Sequence, residues 1–185
     1  MSVTFPHRAG PWTVDDLPDD GTGRYELLDG ELIVPPPPAE SRHEMSATEL
    51  AYMLRRVTGP RRVISPCGVA FRRDSYLVPD VVVVKEGVDA WNIPLLSAEH
   101  IELAIEVVSP HSTTHDQVTK RARYAAWGIG HYWIVHTRPE LALTALELTP
   151  GSGVYAEAGR WSGDDTRVSV DRPFAFSFVL GQLRG

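Results

Sequence analysis

Two short apolar segments with carboxylates embedded in them constrain the fold of this chain more than any other feature. Residues 76–84 read YLVPDVVVV, and residues 101–108 read IELAIEVV. Segments this rich in Val, Ile and Leu predict strands buried on both faces of a sheet. Asp80 and Glu106 lie inside these segments, where an unpaired charge would cost several kcal/mol. A bound cation is one way to offset that cost, because hard divalent ions take carboxylate and carbonyl oxygens as ligands.

The stretch after the second segment predicts a helix over residues 113–128. It has threonines at its start, an early acid, an Ala-rich middle and a glycine at its end. Asp116 and Lys120 are four residues apart and therefore share one helical face. Two acids on central strands and a lysine on the next helix are the parts of a metal-dependent phosphodiesterase site.

Length, charge and cysteine content limit the classes of protein to which the chain can belong. Its 185 residues suit a single domain over 1–185, with 1–12 as a tail. The formal net charge of −6 weighs against strong non-specific binding to a polyanion, because phosphate contacts need clustered Lys and Arg. This net charge is still compatible with a local basic stripe or with phosphate binding through a metal ion. Cys67 is the only cysteine, which excludes an intrachain disulfide and a cysteine-rich zinc site.

The sequence predicts a cytoplasmic protein. No apolar run approaches the roughly 18 residues that a membrane-spanning helix needs. Residues 1–10 lack the long apolar region of a secretory signal.

An N-terminal β-hairpin is predicted where residues 24–28 and 31–34 flank Asp29-Gly30. Asp-Gly between two short apolar runs is a strong hairpin signal. Glu26 lies inside this hairpin, and two interpretations are open. It is either a third inward-facing carboxylate or a solvent-facing acid, which alternation along an antiparallel strand readily supplies.

A helix is predicted over residues 39–58, after the proline run 35–38 and before Gly59-Pro60. His43, near its start, is expected to be a packing or interface residue rather than a ligand. An arginine cluster at its end is either a solvated face or a phosphate-contacting patch. The predicted apolar stripe consists of Met45, Ala47, Leu50, Ala51, Leu54 and Val57, and the arginine cluster of Arg55, Arg56, Arg61 and Arg62.

The remaining segments predict an α/β fold with a mixed sheet, helices against it and the N-terminal hairpin. Residues 130–136 predict a strand directly after the helix 113–128, so strand, helix and strand suggest a crossover with parallel neighbours. A loop over 85–98 is expected to form a rim beside the site. Further strands are predicted over 61–65, 68–73, 141–148 and 154–158, and the apolar segment 174–180 is expected to pack on the core.

The order of these motifs resembles the Uma-type restriction endonuclease family, which belongs to the PD-(D/E)xK nuclease superfamily. The matching positions are Tyr25–Glu31, Pro79-Asp80, Glu106–Pro110, Asp116–Lys120 and Tyr124. Each motif is common by itself, whereas their order and spacing are fairly specific. The resemblance extends from about residue 13 to the C-terminal segment and implies a restriction-endonuclease-like α/β fold.

The resemblance also implies roles for individual residues. Asp80 and Glu106 would hold a divalent metal, Mg²⁺ or Mn²⁺, and Glu26 would complete the acidic group from the hairpin side. The wider motif has lysine two residues after the second acid, where this chain has Val108. Lys120 would reach into the same space from the following helix. The backbone carbonyl of Val108 is a candidate third ligand, with the carbonyl of the preceding residue as the alternative.

Two functions are considered, and they belong to different classes of protein. The resemblance implies a metal-dependent endonuclease that hydrolyses phosphodiester bonds of nucleic acid, with DNA as substrate and a homodimer to cut two strands. The alternative is a catalytically inactive nuclease-like fold that binds nucleic acid or protein. The acidic pI and Val108 favour the alternative, whereas the set of Glu26, Asp80, Glu106 and Lys120 favours the enzyme.

Structural interpretations of the same side chains are open too. Asp80 is able to hydrogen-bond locally after Pro79, and Glu106 to pair with Lys120 without any metal. His111 and His115 are better interpreted as loop residues than as transition-metal ligands, because His111 precedes the expected helix start. The negative charge of Asp116 would by itself be stabilising at a helix N-terminus. The sequence carries no helix-turn-helix or zinc-finger motif to indicate a recognition sequence.

Overall fold

The computed structural model describes residues 10–18, 25–34, 41–108 and 115–185. Helix α1 spans Ser41–Thr58, and a π-helical turn over His115–Lys120 continues into α2, Arg121–Ala126. The strands in the described ranges are β1 (Glu26–Leu28), β2 (Glu31–Ile33), β3 (Val63–Ile64), β4 (Val69–Arg72), β5 (Ser75–Leu77), β6 (Val81–Val84), β7 (Leu96–Ser97), β8 (Ile101–Val108), β9 (His131–His136), β10 (Ala142–Leu148), β11 (Tyr155–Ser162), β12 (Arg167–Val170) and β13 (Phe176–Val179).

A six-stranded mixed sheet in the order β11-β10-β9-β8-β6-β3 forms the centre of the fold. A five-stranded sheet has the order β2-β1-β5-β4-β7, and β12 pairs with β13. In the central sheet β8 and β9 are parallel, and the described helical turns between them form the crossover. The predicted crossover and the predicted mixed α/β architecture are therefore confirmed.

Both faces of the central sheet are covered at β6, which explains why all four positions of that strand are apolar. Val81 and Val83 pack on one face with α1, β12, β13 and the C-terminal residues. Val82 and Val84 pack on the other face with α2 and the five-stranded sheet. All four valines are fully buried, and each stabilises the fold by roughly 1.5–3 kcal/mol.

The predicted hairpin is present, with Glu26 paired to Ile33 and Leu28 to Glu31. Asp29 and Gly30 have φ values of 51° and 85°. Two consecutive positive φ values are what a tight two-residue hairpin turn requires, and Asp-Gly adopts them readily. The backbone N–H of Trp12 donates to the Gly30 carbonyl at 2.8 Å, so the residues just before the hairpin lie against it.

The segment 76–84, predicted as one strand, is two strands in different sheets. β5 ends at Leu77, β6 begins at Val81, and the intervening residues carry the chain from one sheet to the other. The physical reason is Pro79, which has no N–H to offer to a ladder. The Pro79 carbonyl instead accepts a hydrogen bond from the Cys67 N–H at 3.4 Å.

Three other expectations need correction. Met45 and Val57, assigned to the apolar stripe of α1, are exposed, because at 100° per residue Met45 lies nearly opposite Ala47 and Val57 at the edge of the stripe. The loop 85–98 contains β7, which pairs in parallel with β4. β12 was missed because its polar residues alternate with only two valines. No helix among the described residues has the length and apolar character needed to cross a bilayer.

Candidate active site

Asp80 and Glu106 lie side by side at one end of the central sheet. β6 and β8 are antiparallel, with Val81 opposite Ile105 and Val82 opposite Ala104. Asp80 directly precedes β6 and Glu106 directly follows Ile105, so the two acids lie at the same end of this strand pair. The Val107 N–H donates to Asp80 Oδ2 at 2.7 Å, which fixes the aspartate against the strand that carries the glutamate.

Lys120 connects two buried carboxylates. Its Nζ lies 2.9 Å from Glu26 Oε1 and 3.0 Å from Glu106 Oε1. The three residues are 5%, 1% and 2% exposed, respectively, so water screens these contacts little. Charge-assisted hydrogen bonds of this length are about twice as strong as neutral ones. The helical turn after β8 thus brings an ammonium group into contact with both carboxylates.

Tyr124 follows Lys120 by one helical turn, so both side chains point to the same place. Its hydroxyl donates to Glu106 Oε1 at 2.8 Å in a fully buried position. Burial, reinforced by the nearby Glu106 and Glu26 carboxylates, raises the pKa of Tyr124 well above its usual value. Tyr124 therefore stays protonated and remains a hydrogen-bond donor to Glu106.

Of the two interpretations of Glu26, the inward-facing one is correct. Besides contacting Lys120, Glu26 Oε1 accepts a hydrogen bond from the Val78 N–H at 2.9 Å, and Lys120 Nζ lies 3.5 Å from the Val78 carbonyl oxygen. The hairpin and the helix thereby hold the backbone two residues before Asp80. Within the described residues, no three His, Cys, Asp or Glu side chains are grouped to hold a metal ion. Glu26 therefore lies in the site as a partner of Lys120.

The backbone of Val107 faces Asp80. The described pairing of β6 with β8 begins at Val81, opposite Ile105, and the Pro79 carbonyl bonds to the Cys67 N–H. The N–H and C=O of a strand residue point to the same neighbouring strand, so the Val107 carbonyl faces the same side as its N–H, towards Asp80. By the same alternation the Val108 carbonyl points towards β9, and the Val108 side chain is buried in the apolar core.

His43, expected to be a packing residue, belongs to the site. Its Nε2 lies 3.2 Å from Asp80 Oδ2, and its Nδ1 lies 3.7 Å from Glu44 Oε1. The contact joins residues 37 positions apart, across different layers of the fold. The one sequence signal for it is a histidine in the first turn of a helix, which is too common to identify a site residue.

Arg55 and Arg62 of the predicted arginine cluster do not flank this site. Arg62 donates from Nε to the Val84 carbonyl at 2.9 Å and lies 3.8 Å from Glu102, while Arg55 donates to the Val63 carbonyl at 3.3 Å. Val84 and Glu102 are at the opposite ends of β6 and β8 from Asp80 and Glu106. Arg55 and Arg62 thus brace the far end of the sheet.

Some residues considered from sequence cannot be placed. His111 lies outside the described residues, and the side chains of His115 and Asp116 are likewise outside the described part of the chain. The description of the candidate site is therefore based on Asp80, Glu106 and the Val107 backbone beside Asp80.

Comparisons with known proteins identify the family of the chain and a similar fold. The sequence profile of the family described as "Uma2: Putative restriction endonuclease" matches residues 13–177. The fold resembles the crystal structure of a "putative nuclease belonging to DUF820" from Anabaena variabilis, with a TM-score of 0.70 and 20% identity over 94% of this chain and 97% of that chain. No curated protein matches the chain. Because the profile covers nearly the whole sequence, the resemblance inferred from the motifs is confirmed, and this chain belongs to the Uma2 family of restriction-endonuclease-like proteins.

Proposed function

We propose that this protein is a metal-dependent endonuclease that hydrolyses phosphodiester bonds of nucleic acid, with DNA as its substrate. The observation that carries the proposal is that Asp80 and Glu106 lie at the same end of β6 and β8, where the Val107 N–H donates to Asp80 and the Lys120 ammonium lies 3.0 Å from Glu106. Membership of a restriction-endonuclease family and the nuclease-like fold support this class of reaction.

The donor set suits a hard divalent ion such as Mg²⁺ or Mn²⁺. The hydrogen bonds of Asp80 within the described residues both end on Oδ2, and its side chain is 19% exposed, which leaves Oδ1 for a cation. Carboxylate and carbonyl oxygens are the ligands that these ions prefer. We assign Asp80, Glu106 and the Val107 carbonyl as ligands. Val107 replaces Val108 in this assignment because its carbonyl faces Asp80.

The charge balance of the site also favours a cation. With their carboxylates ionised, Asp80, Glu26 and Glu106 carry three negative charges, and the described basic side chains in contact with them are Lys120 and, when it is protonated, His43. Glu26, Glu106 and Lys120 are almost completely buried, and a low local dielectric strengthens the attraction of the remaining negative charge for a cation.

The roles of the side chains follow from their contacts. A bound divalent ion would polarise a phosphoryl oxygen and lower the pKa of a water molecule. Lys120, held between Glu26 and Glu106, keeps a fixed positive charge beside the acids, where it stabilises negative charge that develops on the phosphate. Tyr124 orients Glu106 through its hydroxyl. These contacts exist before substrate binds, so they need no rearrangement during the reaction.

A non-catalytic nucleic-acid or protein-binding module is the second candidate. The observation that favours it is the mutual pairing of Glu26, Glu106 and Lys120, because paired buried charges need no metal. Val108 in place of the motif lysine favours it as well.

Cleavage assays distinguish the two candidates. Purified protein is incubated with supercoiled plasmid and with single-stranded DNA in Mg²⁺, Mn²⁺ or EDTA. We expect cleavage only with a divalent ion, and its reduction by a factor of about 100 or more in Asp80→Asn and Glu106→Gln. Glu102→Gln, on β8 but next to Arg62, is the matched control and should cleave normally. Cleavage that persists in both site variants contradicts the assignment, and DNA binding without cleavage by the wild type supports the module.

Two further properties belong to the same proposal. A homodimer would supply two such sites for the two strands of DNA, and light scattering of the purified protein measures its mass directly. We also propose a cytoplasmic location, where DNA is accessible, which fractionation of expressing cells tests.

A further inference from the structure

A histidine from the opposite layer of the fold reaches the Asp80 carboxylate. His43 lies in the first turn of α1, and α1 packs through Ala47, Leu50 and Leu54 on one face of the central sheet. Tyr124 belongs to the core on the other face. The His43 side chain is 13% exposed, and its Nε2 is 3.2 Å from Asp80 Oδ2. The site is therefore bordered by both layers.

Two groups hold the same oxygen of Asp80. The Val107 N–H approaches Oδ2 from β8 at 2.7 Å, and His43 approaches it from α1. With the Val107 contact alone, the carboxylate would be able to pivot about a single hydrogen bond. A second contact from another element opposes that rotation and keeps Oδ1 as the oxygen for a cation.

Glu106 is held in a similar way. Its Oε1 contacts both Lys120 Nζ and the Tyr124 hydroxyl. Each acid of the pair thus has one oxygen fixed by two protein groups from different directions or elements. Groups that orient metal ligands contribute substantially to affinity even though they never touch the ion.

We propose that His43 is a positioning residue that fixes the orientation of Asp80 for metal binding. This inference rests on the proposed function, because it assigns Asp80 as a metal ligand. His43 acts through Asp80 and needs no contact with substrate. The His43 and Asp80 side chains are 13% and 19% exposed, so the stability of each variant is measured separately from its Mn²⁺ affinity.

Calorimetric titration of Mn²⁺ into the metal-free protein tests the inference without relying on cleavage. We expect His43→Leu to weaken Mn²⁺ binding by about 10–100-fold. His43→Gln keeps an amide nitrogen able to replace Nε2 as a donor and should recover most of that loss. Thr48→Ala, on the exposed side of the same helix, is the matched control and should bind like the wild type. Urea unfolding of each variant verifies that it is folded.

The outcomes separate this inference from the proposed function. Wild-type affinity in His43→Leu overturns the role of His43 and leaves the metal site intact. Equal losses in His43→Leu and His43→Gln also overturn it, because a donor would then not be what Asp80 requires. Absence of Mn²⁺ binding by the wild type overturns the proposed function and this inference together.

Discussion

Among single residues, Lys120 is the one on which the candidate site depends most. Its ammonium contacts Glu26 and Glu106, and all three side chains are nearly excluded from water. Removal of one partner from a buried ion pair leaves an uncompensated charge, which is far more costly than the loss of an exposed pair. Lys120 is therefore a structural residue as well as a candidate catalytic one.

We expect Lys120→Ala to lower the free energy of unfolding by about 3–5 kcal/mol, because two buried carboxylates lose their shared cation. Urea denaturation at neutral pH measures this loss. The other lysine of the sequence, Lys85, is exposed, and Lys85→Ala should stay within about 0.5 kcal/mol of the wild type. A Lys120→Ala protein as stable as the wild type would show that the two carboxylates do not depend on this ammonium.

At the scale of secondary-structure elements, the break between β5 and β6 creates the site. The described pairing of β6 with β8 begins at Val81, one residue after Asp80, and the Asp80 side chain accepts the Val107 N–H in place of a backbone carbonyl. The Pro79 carbonyl bonds to the Cys67 N–H instead. The Pro-Asp dipeptide thus places a carboxylate at the point where the ladder would otherwise continue.

Pro79→Ala should lower the free energy of unfolding by about 0.4–1 kcal/mol, because the unfolded chain gains conformational freedom. The Mn²⁺ affinity should stay close to that of the wild type, because the described hydrogen bond of the carbonyl at position 79 goes to the Cys67 N–H, away from β8. Calorimetry and urea unfolding of the same preparation measure both quantities. A large loss of Mn²⁺ affinity in a folded Pro79→Ala protein would show that the proline itself holds Asp80 in place.

Local sequence signals predicted the elements that depend on local chemistry. Asp29-Gly30 identified the hairpin turn through its positive φ values, and the buried runs identified β6 and β8. The contact of His43 with Asp80 was not predictable in this way, because it depends on how α1 packs across the sheet. β12 is stabilised chiefly by pairing with β13, so its own sequence carries little strand signal.

At the scale of the whole molecule, the side chains of the candidate site come from nearly every part of the fold. The hairpin supplies Glu26, α1 supplies His43, and the central strands supply Asp80 and Glu106, while the crossover helix supplies Lys120. Each group reaches the same end of the central sheet. This explains why the family motifs are spread over most of the chain.

The net charge of −6 predicts that DNA binding depends on a divalent ion, because the protein and the phosphate backbone repel each other without one. Fluorescence anisotropy with a short duplex, at one fixed salt concentration, should show at least about tenfold tighter binding in Ca²⁺ than in EDTA. The Asp80→Asn/Glu106→Gln double variant should bind more tightly than the wild type in EDTA, because it lacks two negative charges, and should gain little from Ca²⁺. The Glu102→Gln/Glu157→Gln double variant removes the same charge away from the site and should keep the response to Ca²⁺. Equal wild-type affinity in EDTA and Ca²⁺ would mean that the ion does not join protein to DNA, as expected of the non-catalytic module.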